Sequence, residues 1–194
     1  MDRLSPVIAL LALLACDGGA EKAAPPRSRV DAVAADPNTP KVNIESFCET
    51  GRKSSPPFAL PATDEPAPAA SGGWTWVNVW ATWCGPCIKE MPMIQAWVGK
   101  LNAEGVKTDL VLLSADEDKN ALAGFKVKNP SWPSSLHMSK AADLPTWGAG
   151  LGLDPAPVLP IHLFVNPQGA VRCSRMGALG EQDYEAVKAV LQGG

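Results

Sequence analysis

Apolar positions along the chain change period several times, and each change marks an element. Trp74 to Trp80 (WTWVNVW) is aromatic or β-branched at nearly every position and predicts a buried central strand. Ile88, Met91, Ile94 and Val98 then recur at helical spacing, predicting a helix that opens at Cys84–Cys87, runs to about Val98 and bends at Pro92. Val106 to Ser114 (VKTDLVLLS) predicts a second buried strand, and Asp116 is placed to cap a helix over Lys119 to Lys126. Leu136-His137-Met138 predicts a short strand and Leu144 to Leu151 a helix ending in glycines. Ile161 to Val165 and Ala170 to Arg175 flank the turn Asn166-Pro167-Gln168-Gly169, which makes them a hairpin. Glu181 to Leu191 closes the chain as an amphipathic helix. Upstream, Ile44 to Cys48 predicts a short strand, and Pro56 to Gly73 a loop with a hairpin around Phe58-Ala59-Leu60. Strand–helix–strand–helix, then a hairpin and a last helix, is an α/β pattern: a central mixed sheet with helices on both faces.

The N-terminal region follows other rules. The apolar run Pro6 to Ala15 has the length of a secretory-signal core and is too short to span a bilayer. Its end, Leu13-Leu14-Ala15-Cys16, resembles the lipobox of bacterial lipoproteins, in which the cysteine is acylated and becomes the new N-terminus. Asp17 to about Pro40 is rich in Ala, Pro, Gly and charge, with too little apolar surface to offset its ordering entropy. It reads as a tether. The expected organisation is a signal peptide over 1–15, a lipidated Cys16 with its tether over 16–40, and a folded domain over 41–194. That resemblance implies a place in the cell envelope on the periplasmic side, with the membrane reached through the lipid; Asp17 directly after Cys16 favours the inner membrane.

Composition narrows the folded part. Hydrophobic residues make up 46% and charged residues 19% of the chain, as in a globular domain. The net charge of −3, without a basic run, excludes nucleic acid as a partner.

The chemistry is concentrated in Trp83-Cys84-Gly85-Pro86-Cys87, where a strand runs directly into a helix. A cysteine at a helix N-terminus has unpaired backbone N–H groups and the helix dipole to stabilise its thiolate, the reactive form. The two-residue spacing lets Cys87 attack a mixed disulfide on Cys84 within one helical turn. Pro86 fits a first-turn position that lacks an N–H partner in any case.

With its flanks, WATWCGPC resembles the thioredoxin superfamily, in particular its TlpA/ResA-like membrane-anchored branch. Val158-Leu159-Pro160 resembles the cis-proline loop facing the cysteines, Phe164 to Gly169 the family's strand–turn signature, and Glu90 the branch's acidic residue after the motif. The resemblance covers about 41 to 194. It implies a thioredoxin-like fold and a thiol–disulfide oxidoreductase, with Cys84 attacking, Cys87 resolving, and Trp83, Leu159 and Pro160 meeting the substrate. It also implies disulfide-bearing client proteins, as in cytochrome c maturation, a membrane-embedded electron donor, and no cofactor. The Gly85-Pro86 dipeptide of the CGPC motif and the resemblance both favour the reducing direction. Asn78 stands where cytoplasmic thioredoxins carry a buried Asp, and Leu159 replaces a commoner polar or β-branched residue.

Glu90 follows Cys87 by one helical turn, so its carboxylate is a candidate to take the Cys87 proton in place of the missing Asp; from spacing alone it fits a solvated surface glutamate equally well. Cys48 and Cys173 are the cysteines left over, and in an oxidising compartment they either pair as a structural disulfide or persist as buried thiols. A lone C-x-x-C can also hold metal, but Cys48, Cys173, His137 and His162 are too scattered for structural zinc. A thioredoxin-fold copper-delivery protein, recruiting Met138 or His162, is the rival from the binding class. His162 otherwise reads as an ordinary strand residue.

The lipobox reading predicts a mature protein that begins at Cys16 and carries two or three acyl chains, because a single chain gives only marginal attachment. Mass spectrometry of the N-terminal peptide checks this, and an unmodified N-terminus downstream of Cys16 contradicts it.

Overall fold

The computed structural model describes residues 42–49, 57–69 and 71–193. The signal peptide, Cys16 and the tether lie outside the described residues. Five strands form one sheet in the order β3-β2-β1-β4-β5. They are β1 (Trp74–Trp80), β2 (Thr108–Ser114), β3 (Ser135–His137), β4 (Ile161–Val165) and β5 (Val171–Met176). β1 pairs in parallel with β2 and β2 with β3, while β4 runs antiparallel to both β1 and β5. The sheet is therefore mixed, with β1 at its centre. The helices are α1 (Ile44–Phe47), α2 (Gly85–Ala103), α3 (Lys119–Lys128), α4 (Leu144–Gly150) and α5 (Tyr184–Leu191).

Alternation along β1 divides the core. Trp76 packs with Phe164 of β4 and with Ile94, Trp97 and Leu101 of α2, and α5 completes that layer through Val187, Val190 and Leu191. Trp80, on the same face, stacks with Phe125 of α3 and Trp132, at ring-centre distances of 5.3 and 4.8 Å. Val77 and Val79 face the other way, against Leu163, Leu144 and Leu151, so α4 covers the second face. Helices lie on both faces, as the pattern predicts. α2 continues through Pro92 to Ala103, beyond the predicted end.

Three local expectations differ from the observed structure. Ile44–Phe47 is one helical turn, not a strand, because the Asn43 side chain accepts the Ser46 N–H at 3.1 Å and caps it. The cap of α3 is Asp118, whose Oδ1 accepts the Asn120 N–H at 2.8 Å. Asp116 is buried and bonded elsewhere. No hairpin forms at Phe58–Leu60: the Phe58 N–H donates to the Gly169 carbonyl at 2.7 Å and Pro57 bridges to Ala170, so the segment lies against the β4–β5 turn. The last helix opens with a 3₁₀ turn over Glu181–Asp183 before α5.

Cys48 and Cys173 are disulfide-bonded, with Cα atoms 5.3 Å apart across 125 residues of sequence. The bond joins the end of α1 to β5. The Glu49 N–H donates to the Ser174 carbonyl at 2.8 Å, and Arg175 Nη1 donates to the Phe47 carbonyl at 3.1 Å. A cross-link closing so long a loop contributes about 2–4 kcal/mol, chiefly by restricting the unfolded chain. Replacing Cys48 and Cys173 together by Ala should lower the unfolding free energy by about that amount. Denaturant unfolding with the other cysteines unchanged measures it; an unchanged midpoint contradicts it.

Candidate active site

The C-terminal end of β1 delivers the chain into α2 through a tight turn, in which the Cys84 N–H donates to the Ala81 carbonyl at 3.0 Å. Cys84 is the N-cap of α2, and its Sγ accepts the Cys87 N–H at 3.3 Å. A sulfur in that position faces the positive end of a helix of 19 residues, which favours negative charge on it. Cys84 and Cys87 are joined as a disulfide with Cα atoms 5.3 Å apart. Both are buried, whereas Trp83 beside them is 70% exposed.

The Leu159–Pro160 peptide bond is cis. Leu159 packs against the apolar cluster that contains Cys84, Cys87, Trp80 and Met91. With Thr82, Trp83 and Val158 it also lines a groove of about 850 Å³ beside the cysteines. The groove wall is completed by Leu144, Pro145 and the Pro155–Pro157 segment, while Glu117 and Asp118 add carboxylates. The 129–159 segment thus supplies one side of the surface next to the disulfide.

Thr82 holds that surface in place. Its N–H donates to both carboxylate oxygens of Asp116 at 3.1 Å, and its hydroxyl donates to Asp116 Oδ1 at 2.6 Å. The Ser114 hydroxyl donates to Asp116 Oδ2 at 2.6 Å. The Asp116 carbonyl meets Nε2 of His137 at 2.9 Å, and His137 Nδ1 lies 3.0 Å from Asp64, which also pairs with Lys119 at 3.1 Å. A chain of polar contacts therefore runs from the 57–65 segment to the turn before Cys84.

Glu90 is buried, not a solvated surface residue. Asn78 Nδ2 donates to its Oε1 at 3.1 Å and the Leu179 N–H to its Oε2 at 2.8 Å. His162 Nε2 stands 3.5 Å from Oε1. Donors from β1, β4 and the loop before α5 thus converge on one carboxylate, a turn of helix below Cys87. Of the residues singled out by sequence, Cys84, Cys87, Trp83 and Leu159 gather at one surface and Glu90 lies beneath it. Cys48 and Cys173 sit apart on β5 and its neighbour. Sequence reasoning took Asp116 only as a helix cap and His162 only as a copper ligand or an ordinary strand residue; the available clue to His162 was a lone polar ring inside an otherwise apolar strand.

A disulfide at the N-terminus of the helix after the central strand, beside a cis-proline loop, defines a thioredoxin-like fold. A thiol:disulfide interchange protein of the DsbE type from Chlorobium tepidum shares that fold, with a TM-score of 0.51 and 20% identity over 63% of this chain and 80% of its own. No family model matches the sequence. The thiol–disulfide oxidoreductase ResA of Bacillus anthracis is 39% identical over 122 residues, 62% of this chain and 63% of its own length. The ResA of Bacillus cereus strain ZK is 29% identical over 121 residues, with the same coverage. The chain is thus similar to ResA thiol–disulfide oxidoreductases and spans 63% of the length of these relatives.

Hydrogen bonds from Ser139, Lys119 and His137 hold the Asp64 carboxyl at about 2, below its usual 3.8. A depressed carboxylate adds stability that is complete above the unfolded value and is lost as pH falls through the folded one. Unfolding followed from about pH 5 to pH 2 should therefore show an acid-side loss that Asp64→Asn makes shallower. Identical acid limbs in parent and variant contradict this.

Proposed function

We propose that this protein is a thiol–disulfide oxidoreductase that reduces disulfides in client proteins through Cys84 and Cys87, on the outer side of the cytoplasmic membrane. The observation that carries the reading is the Cys84–Cys87 disulfide at the N-terminus of α2, next to an apolar groove. In the reduced protein the Cys84 thiolate attacks a client disulfide, forms a mixed disulfide and expels one client thiolate. Cys87 gives up its proton to Glu90 and attacks Cys84 Sγ. The Cys84–Cys87 bond forms and the second client thiolate leaves, so the client gains the two electrons that the protein loses. Trp83, Leu159 and Pro160 present the surface against which an extended client segment lies.

Return to the dithiol requires two electrons and two protons, and in an oxidising compartment a membrane-embedded donor supplies them. Lipid on Cys16 would keep the domain near such a donor. Among the described residues no helix is long and apolar enough to cross a membrane. Apocytochrome c is a client class this reading admits.

Copper delivery is less well supported by the donor set. Met138 is buried in the core on the α4 side of the sheet, His137 bonds to Asp64 and the Asp116 carbonyl, and His162 Nδ1 is occupied by Trp76. Among the described residues no cluster of three metal-ligating side chains occurs.

The purified protein should catalyse reduction of insulin by dithiothreitol. Cys84→Ser should abolish that activity, and Cys87→Ser should accumulate mixed disulfides through Cys84. Tight metal binding by the dithiol with no disulfide exchange contradicts the reading.

A further inference from the structure

His162 is wholly buried in β4, and the exchange steps above give it no task. Its ring orientation is nevertheless defined by chemistry. Trp76 Nε1, which can only donate, lies 3.3 Å from His162 Nδ1. Nδ1 is therefore an acceptor, and the ring proton sits on Nε2. Asn78 Nδ2 approaches the same Nδ1 at 3.3 Å and Glu90 Oε1 at 3.1 Å, so its two hydrogens serve the imidazole and the carboxylate. The opposite amide orientation would set its oxygen against two acceptors. That leaves His162 Nε2–H as a buried donor with no hydrogen-bond partner among the described residues, and Glu90 Oε1, at 3.5 Å, is the carboxylate oxygen it faces.

We propose that His162 is a positioning residue for the proton transfer that accompanies disulfide formation, its Nε2–H steadying the Glu90 carboxylate that receives the Cys87 proton. The inference rests on the disulfide-exchange reading. When Cys87 S–H gives its proton to Glu90, the Cys87 thiolate attacks Cys84 Sγ, the new S–S bond forms and the client thiolate departs. Glu90 returns the proton to solvent through a cleft of about 590 Å³ that it lines with Pro86, Lys89, Leu179 and Glu181. A donor hydrogen-bonded to the carboxylate favours its charged form. Without the imidazole the carboxylate loses that donor and takes up the Cys87 proton less readily.

Other charged or titratable groups border the pair. Cys87 and Lys89 share α2 with Glu90, and Glu181 lies across the cleft. Arg175 is the β5 partner of His162 in register, with its guanidinium bonded to the Phe47 carbonyl. None of them is altered by a substitution at 162, so a shift in the profile belongs to the His162–Glu90 contact.

The test uses the reduced full-length protein and 5,5′-dithiobis(2-nitrobenzoic acid), which releases one aromatic thiolate when Cys84 attacks and a second when Cys87 resolves. His162→Leu should move the pH midpoint of the second release up by about 0.5–1 unit and leave the first release unchanged. His162→Gln, which retains an N–H donor, should restore most of the parent profile. In a Glu90→Gln background His162→Leu should add nothing, since it acts through the missing carboxylate. If His162→Leu does not fold, His162→Met supplies the donor-less side chain at similar volume. A second-release profile that overlays the parent's from about pH 5 to 9, or a shift that persists in Glu90→Gln, overturns the inference and leaves the exchange reading intact. A parent protein that releases neither thiolate overturns both.

Discussion

The sulfur of Cys84 is held at the start of α2, beside backbone N–H groups that no preceding turn of helix can satisfy. Everything around it serves that junction. β1 can deliver Cys84 there only because it is the central strand, fixed in register by parallel pairing with β2 and antiparallel pairing with β4. Trp76 and Trp80 anchor its one face and Val77 and Val79 the other, which leaves the strand end little freedom. Asp116 then fixes Thr82, two residues before Cys84, through its N–H and its hydroxyl.

Beneath the cysteines the same strand contributes Asn78 to a layer that is polar but buried. Taking a carboxylate out of water costs several kcal/mol unless donors meet it. Glu90 has two firm donors, Asn78 Nδ2 and the Leu179 N–H, and a third nearby in His162. An aspartate at position 78 would have set a second carboxylate against Glu90; an amide instead bridges the acid and the imidazole. The identity of residue 78 and the presence of Glu90 are thus two halves of one arrangement, with His162 joined to it through Asn78.

How much of this could be read along the chain depended on whether the partners were close in sequence. The cysteine motif, β1, β2 and the β4–β5 hairpin are local patterns, and periodicity and turn chemistry suffice for them. α1 was misread because four residues are too few to establish a period, and buried Phe47 and Cys48 look like strand positions. Asp116 looked like a cap because Asp118, two residues on, does the capping, while its own partner Thr82 lies 34 positions away. Glu90 was placed at the right turn of the helix, but its burial depends on β1, β4 and the 179 loop arriving at one point. His162 appeared ordinary for the same reason.

The central claim is that Cys84 and Cys87 form a reversible two-electron couple at a helix N-terminus while the rest of the fold stays fixed. An equilibrium redox titration of the protein in dithiothreitol buffers, followed by alkylation mass spectrometry of each cysteine, tests it most directly. The account predicts one two-electron transition for Cys84–Cys87 near thioredoxin's potential of about −270 mV, with Cys48–Cys173 still oxidised at that point. Cys84 and Cys87 that stay oxidised until Cys48–Cys173 is reduced and the fold is lost would contradict it.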